Sequence, residues 1–192
     1  MAKVLLGVTG SVAAIYTPEL FADLRGAGHD VRVAATTASR YFFDTALLAP
    51  REPGRRNPEV VVFDSDEWPG DRYQRGDPVL HIELRRWADL LVIAPLDAHT
   101  LAKFALGLAD NTLTCIWRAW DRTRPIVLAP AMNTLMWEHP ATGRHLRQVA
   151  EDMGDRLHVV PPVTKQLACD DVGLGAMAPR EAILEACHLA LS

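Results

Sequence analysis

Val4-Leu5-Leu6-Gly7-Val8-Thr9-Gly10-Ser11 opens the chain with an apolar run that breaks into a turn. A short apolar run bounded by Gly and Ser reads as a strand buried on both faces rather than as a half-exposed one, which would alternate. The pattern recurs. Val31-Arg32-Val33-Ala34-Ala35, Val60-Val61-Val62-Phe63, Leu90-Leu91-Val92-Ile93-Ala94-Pro95, Ile126-Val127-Leu128-Ala129-Pro130 and Leu157-His158-Val159-Val160-Pro161 are further runs of the same kind. Helical patterns occupy 12–26, with Pro18 near a first turn and Gly26 and Gly28 closing it, then His81–Ala88, Thr100–Leu108 and 180–191. Thr36-Thr37-Ala38-Ser39 marks another helix start, and 49–58, 64–78 and 163–179 read as loops. Strands alternating with helices predict an α/β fold: one domain over 1–192, with a Rossmann-like (flavodoxin-like) doubly wound parallel sheet.

The bulk numbers narrow the function. At 192 residues the chain can bury a full core, and its net charge of -4 with no basic stripe argues against nucleic acid. No apolar run approaches the ~20 residues of a membrane span. Met1-Ala2-Lys3 leads straight into a strand with no signal-peptide pattern, so a cytoplasmic protein is expected. Cys115, Cys169 and Cys187 are odd in number and lack metal-ligand spacing, which reads as free thiols in a reducing compartment and no metal site. Cys115 and Cys187 fall in helical patterns as packing residues.

Ligands of such sheets bind beyond the carboxyl ends of the strands. The unusual residues sit there: Gly10-Ser11, Ser39, Pro95 to Thr100, Pro130 to Asn133, and Cys169. The Gly7–Ala14 turn offers backbone N–H groups, a helix start and the Ser11 hydroxyl to an anion. It is neither a Walker A loop nor a full G-x-G-x-x-G, and a plain strand–helix turn explains it equally well. His81 near a helix start is a candidate general base, and also a capping or core histidine. The small-residue loop Ala94–Lys103 suits a flat ligand, or is an Asp/Thr helix cap. Asn133 can donate to a carboxylate or a flavin edge, or it caps a helix on which Met132 and Met136 pack at i,i+4 spacing. Cys169, in a loop with Gly173 and Gly175, suits a mobile lid with a reactive thiol.

Four segments occur in one order: His81-Ile82-Glu83-Leu84-Arg85-Arg86-Trp87-Ala88-Asp89, the Pro95–Lys103 loop, Pro130-Ala131-Met132-Asn133-Thr134-Leu135-Met136-Trp137 and Leu167-Ala168-Cys169. That order resembles the homo-oligomeric flavin-containing cysteine decarboxylases over nearly the whole chain, above all the stand-alone enzymes acting on phosphopantothenoylcysteine. The Pro-x-Met-Asn-x-x-Met-Trp string is the most specific part.

The resemblance implies FMN as cofactor and decarboxylation of 4'-phosphopantothenoylcysteine to 4'-phosphopantetheine in coenzyme A synthesis, by oxidation of the substrate cysteine to a thioaldehyde before CO2 leaves. It implies that Gly10, Ser11, Val12 and Ser39 hold the FMN phosphate end and that Pro95, Asp97, Ala98, His99 and Thr100 line the flavin. His81 would be the base, Ala131, Asn133, Met136 and Arg86 would hold the substrate, and Cys169 would act from a lid at about 163–179. It further implies a homotrimer or a multiple of three. Asp97, His99 and Asp170 stand where the family usually has Ser, Asn and Gly, and Pro179 replaces a common acidic residue. Three rivals are a peptidyl-cysteine decarboxylase, a flavin prenyltransferase, which would lack the Asn133 string, and a non-catalytic FMN-binding regulatory subunit, which usually carries a long acidic tail.

Overall fold

In the computed structural model, which describes residues 1–68, 70–166 and 172–192, the six apolar runs become β1 (Lys3–Val8), β2 (Asp30–Ala35), β3 (Val61–Phe63), β4 (Leu90–Leu96), β5 (Ile126–Pro130) and β6 (Leu157–Val159). They form one parallel sheet in the order β3-β2-β1-β4-β5-β6. The expected doubly wound sheet is therefore the fold. The chain winds outward from β1 to β3, then crosses back to lay β4 on the other side of β1. The strand order thus reverses between β1 and β4, where such sheets open a crevice at the carboxyl ends.

Two cores follow from the period-2 geometry of the strands. Val4, Leu6 and Val8 of β1 join Val31, Val33, Val92 and Ala94 on one face, under Leu20 and Leu24 of α1 (Thr17–Gly26) and Ile183 and Cys187 of α7 (Arg180–Leu191). Leu5, Leu91, Ile93 and Leu128 face the other way. They meet Leu84 of α2 (Leu80–Trp87), Phe104 of α3 (Ala98–Leu106), Trp117 of α4 (Thr112–Arg118) and Val149 of α6 (Pro140–Met153). The Phe104 and Trp117 rings stack with centroids 4.1 Å apart. Each fully buried side chain of this size contributes about 1.5–3 kcal/mol, so both faces of every central strand must be apolar.

The structure corrects four local readings. The helix expected over 12–26 is a 3-10 turn, Val12–Tyr16, followed by α1 from Thr17. Pro18 has no N–H and its ring would strike the Ala14 carbonyl of a continuous helix, so the α-helix restarts where Pro18 falls in its first turn. The helix start at Thr36–Ser39 amounts to one 3-10 turn, Ser39–Tyr41. The third helix begins at Ala98, two residues early, because Asp97 caps it. Residues 163–179 are not a plain loop: β7 (Val163–Gln166) and β8 (Val172–Ala176) pair antiparallel as a second small sheet. Between them lies Cys169, outside the described residues. Helix α4 contains Cys115, as its helical pattern suggested, and the short α5 (Thr134–Glu138) is the helix that Asn133 caps, whereas α6 fills a stretch for which the sequence offered no helix.

Among the described residues no helix is long and apolar enough to cross a membrane. Burial pushes the Cys187 thiol up to about 12. Burial also raises Cys115, helped by the Glu67 and Asp110 carboxylates. At pH 8 the reactive thiolate of Cys187 should then be on the order of 10^-4 of the thiol. A thiol-specific reagent at pH 8 is expected to leave Cys187 unmodified until denaturant is added. Mass spectrometry showing fast modification of Cys187 in the native protein would contradict this packing.

Candidate active site

Three loops converge at the switch point, and Thr9 ties two of them. Fully buried after β1, its Oγ1 donates to the Pro95 carbonyl at 2.9 Å and accepts the Asp97 N–H at 2.7 Å. The loop after β2 is tied in as well, since Thr36 Oγ1 donates to the Val8 carbonyl at 3.2 Å. Gly10 lies where the three meet: a Cβ built there would come within 2.7 Å of Ala38 Cβ and 3.3 Å of Asp97 Oδ2. The turn therefore needs glycine, and it leaves Ser11 half-exposed at the N-cap of the 3-10 turn, its Oγ accepting from the Ala13 N–H. The Ser11 N–H donates to the Thr9 carbonyl at 2.8 Å and the Ala14 N–H to the Ser11 carbonyl at 2.9 Å, so the turn has the remaining N–H groups of its start, with the Ser11 hydroxyl, to offer a ligand above it.

The expected cofactor residues divide into two sets. Gly10, Ser11, Val12, Asp97, Ala98 and His99 are half-buried or exposed at the mouth. Ser39, Pro95 and Thr100 are buried beneath it. The Ser39 Oγ donates to the Thr36 carbonyl at 2.8 Å, and the Thr100 N–H donates to Asp97 Oδ1 at 2.6 Å. Asp97 is thus the helix cap that its sequence context allowed, with its second oxygen beside Gly10. Exposed Val12 and Ile15 supply apolar surface next to these polar groups. Backbone N–H donors, a hydroxyl and a flat apolar flank together fit a phosphate-bearing planar cofactor such as FMN.

The Asn133 segment is held from two sides. Ala131 N–H donates to the Leu96 carbonyl of β4 and Met132 N–H to the Gly175 carbonyl of β8, each at 2.9 Å. Asn133 Oδ1 caps α5 by accepting the Leu135 N–H at 2.9 Å, which makes the NH2 the donor end of the amide. Met136 is about half exposed. The same hairpin places Lys165 Nζ 5.9 Å from the centroid of the Tyr16 ring. It therefore bridges the turn after β1 and the segment after β5, two of the segments singled out in the sequence.

His81 stands apart from them. It opens α2, and its Nδ1 is in contact with Oε1 of Glu67, a carboxylate that is almost entirely buried. β3, which leads to His81, and β5, which leads to Asn133, are four strand spacings apart, about 19 Å at ~4.8 Å each. Arg86 follows His81 by five residues, so it lies about 140° further round the helix. The structure thus gathers Gly10–Val12, Asp97–His99 and Ala131–Met136 at one end of the sheet, while His81 sits on α2 beside Glu67 of the turn after β3, with Arg86 further round the same helix. Three contributors escaped the sequence reading. Thr9 and Glu67 are described above, and Arg124 donates through Nη1 to the carbonyls of Arg85 and Ala88 at 3.0 and 2.5 Å, closing α2. Only the helix-start position of His81, which invites a nearby carboxylate, hinted at any of them.

A cofactor-type turn at a doubly wound switch point, with the Asn133 segment beside it and the His81 motif on α2 of the same chain, defines a flavin-handling α/β protein. The chain belongs to the flavoprotein family, whose model matches residues 1–191, and within it to the phosphopantothenoylcysteine decarboxylases. It is 46% identical to the mouse (Mus musculus) phosphopantothenoylcysteine decarboxylase over 191 residues, covering 99% of this chain and 87% of that one. It is similar to a cysteine-to-serine mutant of PPC decarboxylase complexed with pantothenoylaminoethenethiol, with TM-score 0.85 and 47% identity over 98% of this chain and 97% of that one. It is also similar to the FMN binding protein AtHal3, with TM-score 0.80 and 48% identity over 98% and 95% of the two chains.

Proposed function

We propose that this chain is an FMN-dependent decarboxylase that converts 4'-phosphopantothenoylcysteine to 4'-phosphopantetheine, a step of coenzyme A synthesis. The observation that carries the reading is the near-complete match, at 47% identity, to a PPC decarboxylase complexed with pantothenoylaminoethenethiol. A cysteine carboxylate cannot lose CO2 unaided, because the carbanion left behind has no place for its charge. FMN, when bound, would supply the two-electron oxidising power that turns the substrate thiol into a thioaldehyde able to take that charge, and the matching reducing power afterwards. In this reading Gly10, Ser11, Val12 and Ser39 hold the cofactor phosphate, and Pro95, Asp97, Ala98, His99 and Thr100 form its bed. His81 accepts a proton at Nε2, while Ala131, Asn133, Met136 and Arg86 hold the substrate around its carboxylate. The free thiols Cys115 and Cys187 fit work in the cytoplasm.

The test is to incubate the yellow, FMN-loaded protein separately with phosphopantothenoylcysteine and with a Cys-terminated peptide. CO2 release from the former supports the proposal. Release from the peptide alone makes the chain a peptide-modifying enzyme, release from neither makes it a binding subunit, and a colourless protein that takes up no FMN overturns the cofactor.

We assign Cys169 to the final reductive half. Cys169→Ser should still release CO2, then accumulate the enethiol product with the flavin left reduced under anaerobic conditions. Stopped-flow absorbance with mass spectrometry of the product checks this, and normal formation of phosphopantetheine would remove the assignment.

His81 beside the turn after β3 and Asn133 after β5, strands four places apart in the sheet, support a site completed between subunits of a homotrimer or a multiple of three. Co-expressed His81→Asn and Asn133→Asp chains, each inactive alone, should then recover activity in mixed assemblies. Failure of every mixture to recover, with light scattering showing an FMN-bound monomer, would place the whole site in one chain.

A further inference from the structure

We propose that Glu67 is the positioning residue for His81: its carboxylate holds the imidazole in the tautomer that keeps the Nε2 lone pair available. Two contacts made by one buried group carry this inference. Glu67 Oε1 meets His81 Nδ1, and Glu67 Oε2 accepts the backbone N–H of the same residue at 3.2 Å. The Glu67 side chain is 1% exposed and that of His81 20%. A buried carboxylate is costly unless paired and hydrogen-bonded. Its ring partner is His81, and the amide it takes is one of the N–H groups that the first turn of α2 leaves without a helical partner. Val79, the N-cap residue of α2, has no side chain able to do this.

Glu67 is placed independently of His81. It ends the 3-10 turn Asp64–Glu67 after β3. Asp64 Oδ2 accepts from the Thr37 N–H at 2.7 Å and the Thr37 hydroxyl at 2.9 Å, and Asp66 pairs with Arg56 and accepts the Phe63 N–H. The turn is therefore bolted to the loop after β2 and to the strand before it. A carboxylate is acceptor-only, so the nitrogen facing it must carry the proton. In a neutral imidazole that leaves Nε2 as the basic atom, since the hydrogen bond at one ring nitrogen selects the tautomer at the other. Glutamine in place of Glu67 offers one acceptor and one donor where two acceptors are needed. Either it turns its NH2 to Nδ1 and selects the wrong tautomer, or it turns it to the His81 N–H and opposes two donors.

The inference rests on the decarboxylase reading for its kinetic part only. Nitrogen-15 NMR of the imidazoles, assigned with His81→Asn, should show His81 protonated at Nδ1 in the FMN-loaded parent and shifted toward Nε2–H in Glu67→Gln. The kcat of Glu67→Gln should fall by at least about 10- to 100-fold, the scale found for carboxylates that orient metal-bound histidines, with KM and bound FMN nearly unchanged. In the His81→Asn background the Glu67→Gln change should cost nothing further, because a residue acting only through His81 is non-additive with it. Three results would each overturn the proposal: an Nε2–H tautomer in the parent, an unchanged tautomer together with an unchanged kcat in Glu67→Gln, or additive losses in the double variant. The parent spectrum decides even if Glu67→Gln folds poorly. If the parent decarboxylates neither substrate, the functional reading fails while the tautomer still reports on Glu67.

Discussion

His81→Asn is expected to lower decarboxylation by about 10^2- to 10^4-fold, the usual worth of a positioned general base, while FMN stays bound. Asparagine is the informative replacement because of Glu67. Its amide NH2 can occupy the position of Nδ1 and donate to the buried carboxylate, so the pairing seen at Nδ1 has a substitute. Nothing in asparagine replaces the lone pair of Nε2. The buried Leu84 that anchors α2 is untouched, so the helix should keep its seat. Flavin absorbance should match the parent, because the Gly10 turn is built from β1 and β4 rather than from α2. The measurement is kcat with phosphopantothenoylcysteine beside flavin content per chain. Near-normal turnover would reduce His81 to the structural partner of Glu67, a role that the buried carboxylate makes physically reasonable on its own.

Gly175→Ala should cost about 10^2-fold in kcat/KM, the scale set by a misplacement of roughly 1 Å in a site. Gly175 has φ +153, and a Cβ there would lie 2.2 Å from the Met132 carbonyl oxygen and 3.4 Å from the Asn133 carbonyl carbon. Backbone cannot move aside as a flexible side chain would. The alanine must push β8 off the segment after β5, and the 2.9 Å bond from Met132 N–H to the Gly175 carbonyl goes with it. In the proposed reading, Asn133 and Met136 then lose the registration with which they would hold the substrate. A backbone held in so unfavourable a region also costs about 1–3 kcal/mol, visible as a lower Tm. FMN should remain, since Gly10, Ser11 and Asp97 lie on other loops. Unchanged kcat/KM would show that the hairpin does not position Asn133.

The two sites differ in how far the sequence announced them. Asn133 was visible because its neighbours form a specific string, and His81 because of its setting before the Arg85-Arg86 pair. Gly175 lies in a stretch that reads as a loop from sequence, although it is a point where that segment docks. Of the glycines that leave 163–179 without periodicity, Gly175 lets β8 approach the Met132 backbone and Gly173 lets it approach the Thr134 side chain.

The fold class followed from the sequence alone. A strand covered on both faces must be apolar at every position, and six such runs separated by helices admit little besides a doubly wound parallel sheet. The family likeness was equally local, carried by short strings in one order. The tertiary structure decided which strands are neighbours, and with them which loops meet. Thr9 reaches Pro95 and Asp97 across 86 and 88 residues, and Glu67 reaches His81 across 14. Such pairings leave no periodic trace, because a hydroxyl or a carboxylate is soluble in any loop and gains its role only when folding removes water and leaves one partner within reach.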